Sequence, residues 1–378
     1  MIINANRKEL LTQARRIAKV IPSRTVIPIL GCILLEADER AGTLRLTATD
    51  METAIRVTLP VSVERGGAAA VDAKLLAGIL EKLAGEEVYM DLRQGERLYI
   101  RGGSAEFSVV TYPALDFPKI DIPMPGDTVT VTGLKSLITG CVFAAMDEKQ
   151  ITRPAMGCVR LTLSNDGLTA AATNGNVLVV VEGDRDSVGN CSLLVPASAL
   201  KTLAALSRDT DVFELGVTGP GKTGKRAVFY DGTLLFSARL IEGDFLDTGA
   251  VLSSFKPAAR AVVNADKFRE TLGHVASVAA KQSLIELSLT TQGLALRCEG
   301  SHSDASAVVE AREAEPIDKK LYIAPRHLTD CVKPLRGEVT LAFSSYGHLM
   351  LQTKGAQCLL VGQRKRKSQE KQPKKKAA

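Results

Sequence analysis

The segment GVTGPGKT, residues Gly216–Thr223, has the residue types and the spacing of a phosphate-binding loop. In such a loop, glycines let backbone amides approach phosphate oxygens, the lysine neutralises their charge and the hydroxyl binds Mg²⁺. The chemistry requires that the loop open a helix, because the helix N-terminus supplies the amides and the dipole. Here Val228, Tyr230, Leu234 and Phe236 alternate around an Asp231-Gly232 turn, which predicts a β-hairpin. We therefore interpret the match as a hairpin tip.

Other residue types that carry chemistry are sparse and scattered. The four histidines form no arrangement with Ser, Cys or Asp that would indicate a nucleophile and its base. No two of the seven cysteines stand in C-x-x-C spacing, so zinc and thioredoxin-type sites are not indicated. We expect no catalytic residue, no metal and no cofactor, and we expect the cysteines to be small buried thiols.

Composition and charge indicate a globular cytoplasmic protein of two or three domains. The chain has 378 residues, of which 45% are hydrophobic, yet no apolar run reaches the ~18 residues of a membrane span. The first residues lack the layout of a signal peptide. The net charge is +6, and the tail from Arg364 onward holds eight basic residues and one acidic residue, which leaves −1 for the body. The tail is expected to be disordered, either attracting phosphate or only solubilising the chain.

Three features of the sequence recur with a period of roughly 125 residues. A leucine-rich helix before an alternating strand begins near Val71, Val195 and Ile323. A strand–turn–strand pattern places Asp50, Asn174 and Gly300 at its bend. The third feature is a helix, in the segments NRKELLTQARRIAKV, LKSLITGCVFAAM and DKFRETLGHVASVAA.

The repeat predicts an α+β fold of three like domains, with antiparallel sheets covered by helices on one face. The predicted boundaries are residues 1–125, 126–252 and 253–363, followed by the basic tail 364–378. Short strands outnumber helices in each repeat.

Several segments resemble the bacterial DNA polymerase III beta subunit family, the sliding clamps. They are RTVIPILGCILLEA at Arg24, TATDMETAI at Thr47, FSVVTYPALDFPKI at Phe107, TRPAMGCVRL at Thr152 and TNGNVLVVV at Thr173. The resemblance covers about residues 1–361, in order. It implies three repeated domains per chain, with antiparallel sheets outside and two helices per domain facing a central channel. It also implies a head-to-tail homodimer that encircles duplex DNA, without a catalytic centre, and that tethers polymerase and other partners.

A ring that slides needs a diffuse basic lining rather than base readout. The resemblance places Arg24 at the DNA, and it places Lys149 and Arg153 in a loop where family members touch DNA, although that loop is equally readable as a solvated connector. Further cations on the predicted helices are expected to line the channel, although they are also typical of solvated helix faces: Arg7, Lys8, Arg15, Arg16, Lys19, Lys74, Lys82, Lys135, Lys201, Lys267, Arg269, Lys281, Arg326 and Lys333. The DNA-binding set that we select is Arg24, Lys74, Lys149, Arg153, Lys201, Lys267, Lys281 and Lys333.

The resemblance also implies an apolar pocket between the second and third domains that receives a short peptide with Gln and Leu/Phe anchors. Its wall in this chain would be Ala155, Thr173, Gly175, Leu178, Leu246, Val251, Leu360 and Val361. A few buried anchors would supply most of the affinity. The same residues are also readable as ordinary core between domains.

Departures from the family pattern fall in this pocket and at the dimer contact. The usual T-D-G-H-R-L reads TNGNVL from Thr173, the usual M-P-M-R end reads VGQR from Val361, and a proline and an arginine are replaced by Leu246 and Ala250. We therefore expect a different or weaker partner peptide, as in a second or mobile-element clamp. The dimer contact would pair Phe107 and Val109 with Val275 and Val278, where the sequence VASVAAK is poor in large apolar groups.

Three functions remain open from the sequence. The first is a homodimeric sliding clamp with duplex DNA, polymerase and clamp loader as partners. The second is a clamp-like adaptor that binds DNA or partners through the tail without encircling DNA. The third is nucleotide hydrolysis at Lys222.

Overall fold

The structure is a computed structural model that describes residues 1–22, 25–93, 96–120, 122, 124–151, 153–164, 167–183, 191–221, 224–317 and 319–364. Arg24, the P-loop-like Lys222 and Thr223, and the tail beyond Arg364 lie outside these ranges. The predicted α+β class is confirmed, because the strands pair into antiparallel sheets accompanied by seven α-helices within the described residues.

The predicted repeat appears as one order of elements that occurs three times: strand, helix, several strands, helix and three strands. The first repeat comprises β1 (Ile2–Asn6), α1 (Arg7–Ile17), β2 (Cys32–Asp38), β3 (Thr43–Thr49), β4 (Thr53–Pro60), β5 (Ser62–Arg65), β6 (Gly67–Asp72), α2 (Ala73–Lys82), β7 (Glu87–Arg93), β8 (Arg97–Gly102) and β9 (Ala105–Val110), and it is followed by β10 (Tyr112–Pro113).

The second repeat has the same order, with a shorter first helix. It comprises β11 (Thr128–Val131), α3 (Leu134–Cys141), β12 (Cys158–Ser164), β13 (Gly167–Thr173), β14 (Val177–Glu182), β15 (Cys191–Pro196), α4 (Ala197–Leu206), β16 (Phe213–Gly221), β17 (Gly224–Tyr230) and β18 (Leu234–Arg239).

The third repeat follows a short connecting helix, α5 (Thr248–Ser253). It comprises β19 (Pro257–Asn264), α6 (Ala265–Ala276), β20 (Ile285–Thr290), β21 (Gly293–Glu299), β22 (Asp304–Val309), β23 (Ala311–Arg312), β24 (Leu321–Ile323), α7 (Pro325–Val332), β25 (Glu338–Ser344), β26 (His348–Thr353) and β27 (Ala356–Val361). Short 3₁₀ turns occupy Ala18–Val20, Pro28–Gly31, Ala114–Asp116, Val142–Ala144, Glu148–Gln150 and Pro154–Gly157.

Local chemistry explains where several helices begin. Asn6 accepts a hydrogen bond from the Glu9 amide, and Asn264, which starts the matching helix of the third repeat, accepts from the amides of Asp266 and Lys267. Asp72 caps α2 in the same way. Such side chains satisfy amides that have no partner within the helix.

The chain divides into two compact units. The first comprises Met1–Val142, Ile151–Ala170 and Glu182–Asp244, and the second comprises Phe143–Gln150, Ala171–Val181 and Phe245–Ala378. Neighbouring repeats share sheets within each unit: β4 pairs with β18 in the first, and β14 pairs with β27 in the second. Because each sheet continues from one repeat into the next, the contacts between residues do not separate the repeats at these joints. The boundaries of the three predicted domains therefore stay a prediction.

The predicted hairpin after the P-loop-like segment is confirmed. β16 pairs with β17, and β17 pairs with β18 across a turn whose Gly232 has φ of 91°. A strand thus follows the segment where a phosphate-binding loop needs a helix.

The cysteines depart from the prediction in one case. Six are buried, as predicted, whereas Cys191, the first residue of β15, is exposed. Burial raises the pKa of the thiols of Cys32 and Cys158 to about 11. Among the described residues, no helix is long and apolar enough to cross a membrane.

Candidate nucleic-acid interface and peptide pocket

The second helix of each repeat buries an apolar face and turns a lysine outward. In α2, Leu76 and Leu80 are fully buried while Lys74 is exposed. In α4, Leu200 and Leu203 are buried while Lys201 is exposed. Lys333, directly after α7, is likewise exposed. The apolar spacing of the helix fixes this orientation, since residues three and four apart share one face.

The remaining predicted DNA contacts that the structure describes are also exposed. Lys149 lies within the 3₁₀ turn Glu148–Gln150, Arg153 directly precedes the turn Pro154–Gly157, and Lys281 follows α6. Lys267 on α6 lies 3.7 Å from a Glu310 carboxylate oxygen, and both side chains are largely exposed, so solvent screens this pair. Arg24, the residue that the resemblance favours most, lies outside the described residues.

Several other helix cations make hydrogen bonds or ion pairs within the chain, and their place in a channel stays a prediction. Arg7 donates from Nε to the Gly85 carbonyl and from Nη1 to the Leu80 carbonyl, both at 2.8 Å. These contacts join the start of α1 to the end of α2. Helix C-terminal carbonyls lack partners within the helix, and a guanidinium fork satisfies two at once.

The joint between the first two repeats uses the same device. Arg16 donates to the Leu206 carbonyl at 3.2 Å and lies 3.3 Å from a carboxylate oxygen of Asp231. Lys19 donates to the Ala205 carbonyl at 2.7 Å. Both carbonyls lie at the end of α4, within the first unit.

Two further cations are engaged in local contacts. Arg269 on α6 bonds to the carbonyl of Leu335 and to Asp266, and Arg15 pairs with Glu81 at 2.7 Å. In contrast, within the part of the chain that the structure describes, no ion pair is formed by Lys74, Lys149, Arg153, Lys201, Lys281 or Lys333. These six side chains can therefore neutralise phosphate without breaking an ion pair of the described residues.

The peptide-pocket residues of the second unit begin at the β13–β14 turn. The Thr173 hydroxyl donates to the Val177 carbonyl at 2.8 Å and accepts from the Gly175 amide at 3.1 Å. Gly175 has φ of 87°, a left-handed conformation that favours glycine. Asn174 accepts from two amides of the turn. This tight turn fixes where Leu178 enters β14.

Leu178 and Val251 belong to one apolar cluster, and their role in a peptide pocket stays a prediction. The side chains of Leu178, Ala342, Met350 and Leu359 form one apolar cluster on the sheet, against which α5 and its flanks pack. The partly buried members of the cluster are Val180, Val251, Leu252 and Phe255. Leu246 lies two residues before the start of α5 and is 43% exposed. Its apolar side chain is therefore accessible to solvent.

The strand register separates two of the predicted pocket residues. Leu178 pairs with Leu359, whereas Leu360 pairs with Val177. Directly paired residues share a face, so Leu359 lies on the Leu178 face and the fully buried Leu360 lies on the opposite face. The Val361 amide donates to the Asn176 carbonyl. Because side chains alternate along a strand, Leu359 and Val361 share one face of β27. This alternation is the sequence signal that would have placed Leu359, and not Leu360, with Val361 in the predicted pocket.

Ala155 belongs to the first unit, where it is buried close to Gly243. The sequence also missed Met350 and Ala342, because their membership depends on the pairing of β25, β26 and β27 rather than on a motif.

The predicted dimer residues lie on or near edge elements of each unit. β9 is an edge strand of the sheet ordered β5-β1-β7-β8-β9, and β22 is an edge strand of the sheet ordered β22-β21-β20-β24. Val109 and Val275 are 4% and 1% exposed, so each packs inside its own unit, while Phe107 and Val278 are partly buried. The outward apolar side chains are Val110 and Val308, which are 63% and 51% exposed.

No group of three or more His, Cys, Asp or Glu side chains within the described ranges is arranged to hold a metal ion.

Comparison with known proteins finds similarity to one family. Residues 1–121 match the model of the DNA polymerase III beta subunit, N-terminal domain. The beta sliding clamp of Streptomyces coelicolor is 29% identical over 354 residues, covering 91% of this chain and 92% of the relative. The beta sliding clamp of Synechococcus elongatus is 26% identical and covers 89% of this chain and 90% of its own length.

The fold agrees with solved structures over nearly the whole chain. A DNA polymerase sliding clamp from Bacillus subtilis superposes with a TM-score of 0.88 at 20% identity, covering 97% of this chain and 99% of its own. The beta subunit from the DNA polymerase of Streptococcus pyogenes gives 0.87 at 18% identity, covering 97% and 100%. With the threefold order of elements, these matches fit a divergent member of the DNA polymerase III beta subunit family, the family of the bacterial sliding clamps.

Proposed function

We propose that the protein is a sliding clamp, a non-catalytic processivity factor of DNA replication. Two copies would join head to tail into a ring around duplex DNA in the cytoplasm. The observation that carries the proposal is the exposed, unpaired lysine associated with the second helix in each of three repeats, at Lys74, Lys201 and Lys333.

The charge distribution supports sliding rather than gripping. Lysine is a point charge on a flexible stem, which suits attraction to phosphates without fixed geometry. Phosphate contacts carry no sequence information, and the absence of base readout lets a ring move along the duplex. Arg7 and Arg16, whose guanidinium groups could make bidentate contacts, instead bond to carbonyls at or near helix ends.

We further propose that the apolar cluster around Leu178 and Val251 receives a short linear segment of DNA polymerase or clamp-loader subunits. Leu246 would be its exposed rim. The sequence TNGNVL from Thr173 supplies no cation at this turn, so the partner segment is expected to depend on apolar anchors more than on acidic residues.

The assembly proposal is a head-to-tail contact in which the β9 edge of one protomer meets the β22 edge of another. Joined edges would remove two rows of unpaired backbone groups. Val110 and Val308 would provide the apolar contact at these edges.

The experiment that tests encirclement is topological. The purified chain is loaded on nicked circular DNA by its cognate loader, separated by gel filtration, and then treated with a restriction enzyme that cuts the circle once. A ring is expected to remain on circles and to slide off linear molecules. Equal retention of the protein on circular and on cut DNA would contradict the proposal.

The adaptor alternative rests on the tail, whose charge of +7 contrasts with −1 in the body. Truncation after Gln363 separates the two functions. A clamp without its tail still distinguishes circular from cut DNA, whereas an adaptor that binds through the tail loses DNA association altogether.

A further inference from the structure

The sheet ordered β5-β1-β7-β8-β9 has one buried face and one face rich in arginine and tyrosine. Ile3, Val88, Met90, Leu98 and Ile100 point into the core and are fully buried. The alternate positions of the two central strands carry Tyr89, Asp91 and Arg93 on β7, and Arg97, Tyr99 and Arg101 on β8. Because side chains alternate along a strand, these six share the solvent face.

The tyrosine rings on this face are stacked with guanidinium groups. Arg93 Cζ lies 4.0 Å from the centroid of the Tyr99 ring, and Arg101 Cζ lies 5.1 Å from that of Tyr89. Arg93 is held in place because its Nε donates to Asp91 Oδ2 at 2.7 Å. Its side chain nevertheless remains 51% exposed, so the plane of the guanidinium is accessible from solvent.

The charges on this face are unevenly compensated. Asp91 is buried, and its carboxylate accepts hydrogen bonds from both Arg65 and Arg93. Its negative charge is therefore paired within the sheet. Arg97 is exposed and donates to the Ser108 hydroxyl at 3.2 Å. Among the described residues, no ion pair is formed by Arg97 or by Arg101, although Glu106 lies opposite Arg101 in the register.

The two stacks occupy adjacent rungs of the sheet. Tyr89 pairs with Arg101, and two residues further along β7 Asp91 pairs with Tyr99, which places the rungs about 7 Å apart. Aromatic rings on neighbouring central strands, flanked by arginines, are what proteins use to stack consecutive unpaired bases. Duplex DNA cannot use such a surface, because its bases are already stacked and paired.

We propose that this face, the arginine–tyrosine face of Tyr89, Arg93, Arg97, Tyr99 and Arg101, binds single-stranded DNA. Bases stack on the partly exposed tyrosine rings and on the guanidinium groups that lie over them, and Arg97 and Arg101 contact the phosphodiester backbone. The surface is built from β7 and β8, whereas the proposed duplex contacts lie on helices, so the two activities are separable by mutation.

The test compares two charge-matched double variants of the full chain. Arg97→Gln with Arg101→Gln removes two positive charges from β8. Lys74→Gln with Lys201→Gln removes two positive charges from α2 and α4. Binding of a fluorescent 15-nucleotide single strand and of a matched duplex is measured by anisotropy over a series of salt concentrations. The arginine pair should reduce the slope of log affinity against log salt for the single strand by about 1.4, and the lysine pair should leave it near the parent value.

The aromatic contribution is tested by Tyr89→Ala with Tyr99→Ala against Tyr89→Phe with Tyr99→Phe. The alanine pair should weaken single-strand binding about tenfold or more, whereas the phenylalanine pair keeps the rings and the affinity. Melting curves followed by circular dichroism show whether the alanine double variant is folded. If it is not, the test of the proposal is the effect of the arginine double variant on single-strand binding.

Three results would overturn the proposal. They are equal effects of the arginine and lysine pairs on single-strand binding, unchanged binding in a folded alanine pair, and equal competition by poly-glutamate, which has charge without bases. Failure of ring closure would leave each of these measurements valid, because none of them needs encirclement.

Discussion

At the scale of single residues, the same positive charge serves two purposes in this protein. Arg7 and Arg16 direct their guanidinium groups to carbonyls at helix ends, while Lys74 and Lys201 extend into solvent. The planar fork of arginine suits two fixed acceptors, and the compact ammonium of lysine suits a diffuse field. For these four side chains, the partner separates the cations that bond within the fold from those that are exposed to solvent.

The exposed rim of the apolar cluster gives a prediction at this scale. Leu246→Ser should weaken the binding of a peptide with Gln and Leu/Phe anchors by about tenfold, since one apolar anchor contact is lost. Isothermal titration calorimetry measures the change. Leu115→Ser provides the control, because Leu115 is 83% exposed in the first unit. Equal weakening by both variants would count against a pocket at Leu246.

At the scale of elements, the repeated strand–turn–strand unit is the most regular local structure. Thr49 and Thr173 each donate to the carbonyl four residues ahead, and Asp50 and Asn174 each accept two amides of the turn. Identical hydrogen-bond roles at matching positions show that the repeat is structural and not only compositional. Burial raises the pKa of the Asp50 carboxyl, against the opposing effect of the hydrogen bonds that it accepts.

The contact between α1 and α2 gives a prediction for helix packing. Arg7→Ala should lower the free energy of unfolding by about 2 kcal/mol, because two carbonyls at the end of α2 lose a charged donor. Urea denaturation measures this difference. Lys8→Ala, the neighbouring exposed position, should change it by less than about 0.5 kcal/mol. A negligible loss in Arg7→Ala would show that water replaces the guanidinium without cost.

At the scale of the whole molecule, neighbouring repeats are joined by continuous sheets. The β4–β18 and β14–β27 pairings carry each sheet from one repeat into the next. This explains why contacts divide the chain into two units although the element order repeats three times. A third joint, between copies, would use the edge strands β9 and β22.

The assembly prediction follows from those edges. The parent chain should sediment as a species of about 81 kDa, twice the 40.3 kDa of one chain. Val110→Asp together with Val308→Asp should shift it toward the monomer, because two carboxylates would be buried in an apolar contact. Sedimentation equilibrium over a range of concentrations measures the shift.

The control for assembly is Val26→Asp, since Val26 is 98% exposed and lies on neither edge strand. A parent chain that remains monomeric at all concentrations, or a double variant that sediments like the parent, would contradict the edge contact.

The sequence by itself determined the local and periodic features of this protein. The threefold order of elements, the α+β class, the hairpin at Asp231-Gly232 and the outward lysines of α2 and α4 all follow from hydrophobic period, turn residues and repeat length. These depend on neighbours within a few residues, or on recurrence along the chain, and both are visible in one dimension.

The tertiary structure alone decided which groups meet. It assigned Arg7 and Arg16 to carbonyls from other helices, selected Leu359 instead of Leu360 beside Leu178, buried Val109 and Val275, and placed Arg93 over Tyr99. Each outcome depends on strand register or on residues distant in sequence. A shift of one residue in register reverses which side chain faces the core, and no local pattern specifies that choice.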